Sequence, residues 1–451
     1  MKITELASQD PQVFALIGLE AKRQQEKLSL IPSENFFSKQ VREAVGSVLI
    51  HKYSEGNIEK RYYEGNEYID EIEKLAIDRA SKLFKLPKSW GVNVQALAGS
   101  NANLAVYLAL LQPGSTMMSM YLPDGGHLSH GWSYEPNMAE GSNDEVYLGG
   151  KRKVHVSSRL FKVVQYKTDP KHHLFDYEQI AKVAKKYKPD LIITGGTAYP
   201  RDIDYQQMRK IADSVGALYM ADIAHEAGLV AAGVLKSPVG IADVVTMTTH
   251  KTLRSARGAI ILAKQELINK INRGVLPGLQ GGPFNNNIAG ICVGLGEALK
   301  PEFKDYAVQI IKNAKALSAH LLEKDFDLLS GGTDKHLILI NMTNKGVFGK
   351  FTARAMDKAG LVLNMNTMPG ELRSPADPSA IRLGTPLVTT RGMKEAEMEL
   401  IADWMDRVVK IIKPWANLEF SQFEAKVTAS KDIKKIAEEV KALCKRFPLD
   451  I

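Results

Sequence analysis

The chain has 451 residues, 59 basic against 51 acidic side chains for a net charge of +8, and apolar and charged fractions of 45% and 24%. That is the profile of an ordinary globular protein with a large core and room for roughly two to three domains. Its two cysteines, Cys292 and Cys444, exclude a disulfide framework and show no metal-ligand spacing. The positive balance favours anionic ligands, but no basic block interleaved with aromatics marks a dedicated nucleic-acid module.

Residues 1 to about 25 are polar with a helical pattern and predict an N-terminal arm. Met1-Lys2-Ile3-Thr4-Glu5 lacks the pattern of a leader, and no stretch approaches the ~20 apolar residues of a membrane span, so the expected location is cytoplasmic. Ile69, Ile72, Ala76, Ala80 and Leu83 repeat at helical spacing and predict a helix over 69–86. Val92 to Leu97 reads as a strand running into Gly99-Ser100-Asn101-Ala102-Asn103 and an apolar helix, Leu104 to Leu111. Strand, glycine turn, helix is an arrangement that points backbone N–H groups at a phosphate. Asp190 to Gly195 predicts another strand. Met208, Ile211, Ala212 and Val215 line one helix face, stopped by Gly216.

Ala217 to Ala221 is an apolar run ended by Asp222. Asp243 to Thr248 is a second, leading to His250-Lys251-Thr252. Strand ends in one open α/β sheet share an edge, where such sheets place ligands. A lysine and a carboxylate brought together there suit pyridoxal phosphate. The lysine forms a Schiff base with the cofactor aldehyde, and the carboxylate keeps the pyridine nitrogen protonated. With Gly258 to Leu262 as a further strand, strands alternating with helices predict an α/β fold with a mostly parallel sheet sandwiched by helices. Past the break at Pro277 to Pro283 the pattern changes. A long helix over about 287–324 precedes strands at Leu337 to Met342 and Ile381 to Leu383, and a helix with Ile401, Met405, Val408 and Ile412 inward. Lys431 to Lys445 predicts a helix with a solvated lysine face. The expected division is an arm at 1–25, a large cofactor-binding domain at 26–294 and a smaller α+β domain at 295–451.

Several motifs occur in order: Ile31-Pro32-Ser33-Glu34-Asn35, Lys52-Tyr53-Ser54-Glu55-Gly56, Lys60-Arg61-Tyr62-Tyr63, Gly99 to Asn103, Gly125-Gly126-His127-Leu128, Asp222-Ile223-Ala224-His225, Thr248 to Thr252, Leu276 to Pro283 and Ile381 to Pro386. Together they resemble the serine hydroxymethyltransferase family, pyridoxal-phosphate enzymes of the aspartate-aminotransferase fold type. The resemblance runs from about Leu28 to Arg446-Phe447-Pro448. It implies a transferase of one-carbon metabolism and amino-acid biosynthesis that exchanges serine and glycine. Its cofactor would be pyridoxal phosphate, and its co-substrate tetrahydrofolate or a modified pterin.

On this resemblance Lys251 carries the cofactor, Asp222 pairs with the ring nitrogen and His127 stacks on the ring. His225 lies near the ring hydroxyl, and Thr197, where the family usually has serine, donates to the ring oxygen. Gly99 and Ser100 hold the phosphate, joined by Tyr53, Gly281 and Gly282 from a second subunit, which implies a homodimer with shared sites. Arg382 clamps the substrate carboxylate, with Ser33 and Tyr63 completing the pocket, Glu55 handling a proton and Arg257 shaping the site. Leu122, Gly126, His127, Leu128, Asn366 and Ser374 fall where the family binds folate. No metal is expected. The chain departs from the family pattern at Asp124, Met365, Ala376, Glu226, Asn57-Ile58-Glu59 and Glu64. Two rivals remain: a folate-independent aldolase for threonine-like β-hydroxy amino acids, and an RNA-binding or regulatory protein that has lost catalysis.

Overall fold

A computed structural model describes residues 4–134 and 146–450; Met1, Lys2 and Ile3 of the expected arm lie outside the described residues. The central sheet is built from Trp90–Asn93 (β1), Thr116–Met120 (β2), Val146–Tyr147 (β3), Lys162–Tyr166 (β4), Leu191–Thr194 (β5), Leu218–Asp222 (β6), Val244–Thr248 (β7) and Ala259–Lys264 (β8). Its eight strands run in the order β1-β8-β7-β6-β5-β2-β4-β3. β7, β6, β5, β2 and β4 are mutually parallel. β8 is antiparallel to both β7 and β1, and β3 is antiparallel to β4. The sheet is therefore mixed at both margins. β8 reverses because only the loop 249–258 joins it to β7, too short for the helical crossover that a parallel partner requires. Every residue of β7 is buried, as expected of a strand covered on both faces.

Chain order along the parallel strands reverses between β2 and β5. The ligand crevice of an open α/β sheet lies at such a point, beyond the carboxyl ends of the strands. The loops after β2, β5, β6 and β7 all leave by that edge. So does the chain after β1, which turns into the helix Gly99–Leu110. The helix begins at Gly99 rather than Leu104, so the expected strand to Leu97 stops at Asn93.

A second sheet contains Asp327–Leu328 (β9), Leu337–Asn341 (β10), Asn364–Asn366 (β11) and Ala380–Gly384 (β12) in the antiparallel order β9-β10-β12-β11. Its apolar face packs under helices Pro301–Glu323, Gly349–Lys358, Glu395–Ile412 and Lys431–Arg446. Leu28 and Leu30 belong to this second core, and Leu28–Ser29 pairs in parallel with Leu361–Val362. The single helix expected over 287–324 is two, Asn285–Ala298 and Pro301–Glu323. Pro301 lacks an N–H and its ring clashes with the preceding turn, so it fits only the first turn of a new helix. The C-terminal helix exposes Lys431, Lys434, Lys435 and Lys445 and buries Ile433, Ile436, Val440, Leu443 and Cys444 on the other face.

The N-terminal helix Pro11–Glu26 buries none of its residues and exposes Val13, Phe14, Leu16, Ile17 and Leu19. It is held at its C-terminal end by Arg391. This guanidinium donates to the carbonyls of Gln24, Gln25 and Lys27, and to those of Cys444 and Phe447 at the end of the last helix. One cation thereby satisfies the orphan carbonyls of two helix C-termini and complements both dipoles.

Candidate active site

Asp222 is the last residue of β6, in register with Thr246 of β7. Its Oδ2 accepts from Asn103 Nδ2 at 2.8 Å and from His130 Nε2 at 3.0 Å, and its Oδ1 from the Ala224 amide at 2.9 Å. Burial pushes this carboxyl up, but the bonds and charges of His130, His127 and Asn103 outweigh it and hold Asp222 below the usual carboxylate range. Asn103 is itself fixed, because its Oδ1 accepts from Thr246 Oγ1 at 2.7 Å. An ionised carboxylate thus waits at the sheet edge.

Lys251 sits in the loop beyond β7 and is buried. That loop is pinned by Asn35 Nδ2 donating to the Lys251 carbonyl at 2.9 Å, by Thr252 Oγ1 to the His225 carbonyl at 2.8 Å, and by Thr249 Oγ1 to the Ala256 carbonyl at 2.6 Å. Burial pushes the Lys251 amine down to about 8, with Asp222 pulling the other way and Arg382 adding to the fall. An amine so placed is far more often neutral at physiological pH than an ordinary lysine, which is what a nucleophilic lysine needs.

His127 follows Gly125-Gly126 in the loop after β2. Gly125 has φ +120°, and a Cβ on Gly126 would lie 2.2 Å from the Met120 carbonyl oxygen. The two glycines let the loop fold back on the strand end and present the imidazole over the edge. His127 Nδ1 is bonded to Ser129 Oγ at 2.7 Å and accepts from the Ser129 amide at 3.1 Å. Burial, then the neighbouring His130, lowers its pKa to about 3, so the ring is neutral. The loop is zipped to the one after β5, where the Thr197 amide donates to Gly125 O at 2.7 Å and Thr197 Oγ1 donates to Gly126 O at 2.9 Å. Gly195 adopts φ +117°, and any Cβ there would stand 2.0 Å from the Asp222 carbonyl oxygen.

His225 is buried, its Nδ1 3.3 Å from His336 Nε2 and the two rings stacked at 5.5 Å. Burial and then the charges of Lys251 and Arg382 hold it well below the ordinary histidine value. Arg382, on β12, reaches across from the second sheet. Its Nη1 donates to Thr197 O at 2.5 Å and its Nε to Asn364 Oδ1 at 3.1 Å. Burial pushes the guanidinium down to about 10. No carboxylate pairs with it among the described residues, so it presents an anion site with no protein counter-ion.

These residues fit a flat, anionic, aldehyde-bearing ligand. They offer a poised amine, an ionised carboxylate and a neutral ring to lie against it. The helix Gly99–Leu110 adds a first turn that no side chain caps, and Ser100 is exposed there.

Other expected residues gather elsewhere. Tyr53 is 62% exposed and meets Tyr63 edge-on at 5.7 Å. Glu55 Oε1 accepts from the Gly282 amide at 3.2 Å, beside Gly281. The short hairpin carrying them is locked by Arg61, which pairs with Asp70 and Glu73 and donates to the carbonyls of Ser54 and Gly56. Among the described residues, no hydrogen bond, ion pair or ring contact joins Tyr53, Glu55 or Tyr63 to Lys251, Asp222, His225 or Arg382. Ser33 lines a groove of about 1200 Å³ with His250, Arg257 and the exposed N-terminal helix. Leu122 packs near Tyr121 and Trp132, Leu128 is exposed, and Ser374 is exposed beyond β11. Asn366 is on β11, two positions from the Asn364 that holds Arg382.

Sequence reasoning missed Asn103, His130, Asn35 and His336 as supports. Asn35 and Asn103 lay inside quoted motifs and His130 one turn past His127, so their spacing was a usable signal. His336 carried none, because only the packing of the second sheet brings it to His225.

The fold is that of an α/β enzyme, and its candidate site brings a buried lysine, Lys251, and a buried carboxylate, Asp222, to one sheet edge. The chain belongs to the serine hydroxymethyltransferase family, whose profile matches residues 6–405. It is 47% identical over 446 residues to a serine hydroxymethyltransferase of Acidothermus cellulolyticus, covering 99% of this chain and 97% of that one. It is 48% identical over 441 residues to one of Methanosarcina barkeri, covering 98% of each chain. A third, from Sorangium cellulosum, is 48% identical over 439 residues, covering 97% of this chain and 95% of the other.

Proposed function

We propose that the chain catalyses the reversible conversion of serine and tetrahydrofolate to glycine and 5,10-methylenetetrahydrofolate, with pyridoxal phosphate held at Lys251. The observation that carries this reading is the convergence of Lys251, Asp222, His127 and the unpaired Arg382 on one edge, in a chain of this family. The cofactor supplies an electron sink for breaking the serine Cα–Cβ bond. Lys251 would hold it, Asp222 would keep its ring nitrogen protonated, and His127 would be the ring placed to stack on it. Gly99 and Ser100 would receive the phosphate, while Thr197, whose hydroxyl donates to Gly126 O, and His225 would border the ring oxygen. Arg382, with Ser33 and Tyr63, orients the amino acid through its carboxylate. Glu55 handles the proton near the substrate hydroxyl. The proposed location is cytoplasmic; among the described residues no helix is long and apolar enough to cross a membrane. The proposed division is an arm at 1–25, a cofactor-binding domain of fold type I at 26–294 with Leu28 and Leu30 lent to the second core, and a small domain at 295–451.

The same reading makes the site shared. Tyr53, Glu55, Gly281 and Gly282 act on the Lys251 of a second copy; within one chain they gather with one another, Glu55 on the Gly282 amide and Tyr53 beside Gly282. Mixing inactive Lys251→Ala subunits with inactive Glu55→Gln subunits is expected to restore activity, since a mixed dimer holds one complete site. Mixed dimers that form yet stay as inactive as their parents refute the shared site.

Of the departures on the pterin side, Asp124 is turned inward, its Oδ2 accepting from the Thr168 amide and hydroxyl at 2.7 and 2.8 Å. Met365 and Ala376 are exposed, as are Leu128 and Ser374; with half-buried Leu122, His127 and Asn366 and the buried Gly126 they make up the proposed carrier site. Met365 and Ala376 remove a cation and a ring contact there, so serine cleavage is expected to depend on a pterin but to bind tetrahydrofolate weakly or prefer a modified pterin. Steady-state titration of purified protein with tetrahydrofolate and with a methanopterin-type carrier decides it. Tight, saturable tetrahydrofolate use refutes the weakened affinity. Serine cleavage indifferent to any pterin refutes the transferase reading in favour of an aldolase.

A further inference from the structure

Glu226 and Lys335 form an ion pair between the two cores, with relative exposures of 3% and 2%. Glu226 follows His225, at the entrance to the short helix Ala227–Ala231 beyond β6. Lys335 precedes His336, just before β10. Two consecutive residues of one core therefore face two consecutive residues of the other, His225 against His336 and Glu226 against Lys335. The Lys335 ammonium also lies 5.6 Å from the centre of the Tyr199 ring, and the Lys335 amide is tied to Thr333 Oγ1 at 3.0 Å. Thr333 in turn donates to the Pro200 carbonyl at 3.1 Å.

A buried pair of charges is costly to desolvate, and an apolar pair of equal volume is often as stable. Its best attested use is to fix one arrangement among several. Here the arrangement fixed is the meeting of His225 with His336. His336 is fully buried and its Nδ1 has no hydrogen-bond partner. A buried N–H without a partner is rarer than a bare acceptor, which places the His336 proton on Nε2, where it is donated to His225 Nδ1. The proton of His225 then sits on its Nε2, the nitrogen left free for the site. Burial keeps both rings neutral, well below the ordinary histidine value.

We infer that Glu226 and Lys335 are positioning residues: their ion pair holds His336 against His225 and thereby sets the ring plane and the Nε2–H tautomer with which His225 meets the cofactor and substrate. This rests on the reading of Lys251 as the cofactor lysine, but it concerns a state of His225 that exists before any cofactor is bound.

Histidine-selective 15N NMR on the full-length protein, without and with pyridoxal phosphate, reads that tautomer directly, with the His225 signals assigned by their loss in His225→Gln. The parent is expected to show a protonated Nε2 and bare Nδ1 at His225. Lys335→Met leaves a lone buried carboxylate beside His225. It is expected to shift or broaden those signals and lower kcat for serine about tenfold with cofactor content retained. Glu226→Gln, which keeps the side-chain shape, serves if Lys335→Met does not fold and is expected to act in the same direction. The double variant Glu226→Leu with Lys335→Met removes both charges and is expected to restore the signals and bring kcat within about threefold of the parent. Variants that lose only thermal stability, with His225 signals and kcat unmoved, reduce the pair to structural glue and overturn the inference. So does an Nδ1–H tautomer in the parent. Failure of the functional reading is seen separately, as a parent protein that binds no pyridoxal phosphate.

Discussion

Lys251→Ala is expected to fold and to lose serine turnover by roughly 10³-fold or more, the scale seen when a covalent-catalysis side chain is removed. The parent should be yellow, borohydride should fix the cofactor to Lys251, and the variant should hold it only reversibly. The buried amine adds a pH signature. Its pKa is pushed down to about 8, and only the neutral amine attacks an aldehyde. Loading of the cofactor-free protein should therefore speed up as pH rises to about 8 and level off above, where an ordinary lysine would keep accelerating to about 10.4. Linkage works in the same direction. The folded pKa lies below the unfolded one, so the cofactor-free protein should gain stability as pH rises from about 8 toward the unfolded value, and Lys251→Ala should lack that gain. Peptide mapping that finds the cofactor on another lysine refutes the assignment.

Arg382→Ala is expected to lower kcat/KM for serine by a factor equivalent to about 2–5 kcal/mol while leaving the bound cofactor and its absorbance in place. The guanidinium is desolvated and held only by neutral acceptors, Thr197 O and Asn364 Oδ1. It gains a counter-ion when the substrate carboxylate arrives, and two parallel N–H donors fit that group. Arg382→Lys keeps the charge without the fork and should recover part of the loss. Isothermal titration with serine or glycine measures the effect. Unchanged affinity in Arg382→Ala moves the clamp to another residue.

Much of the site was legible because its chemistry rests on strand ends. Apolar runs capped by Asp222 and followed by Lys251 say that both groups leave a buried strand, and in a sheet with parallel strands such ends share an edge. Gly125-Gly126 before His127 likewise marks a backbone that must approach another closely. The helix break at Pro301 and the early start at Gly99 were readable from local rules, since proline belongs in a first turn and glycine can open a helix. The antiparallel β8 was not, because Ala259–Lys264 is as apolar and nearly as buried as the parallel strands β5 and β7, and pairing direction is set by the length of the connection.

The sequence by itself determined the element types, the alternation that makes an α/β sheet, and the residues able to carry the lysine–carboxylate chemistry. These depend on neighbours in the chain: hydrophobic period, turn residues and short motifs. Only the tertiary structure decided that His130 and Asn103 hold Asp222 ionised, that Arg382 crosses from the second sheet with no carboxylate beside it, and that Lys335-His336 meets His225-Glu226. The physical reason is that burial and hydrogen bonding set these properties. Both arise between segments up to 185 positions apart, as with Arg382 and Thr197, whose meeting no local pattern encodes.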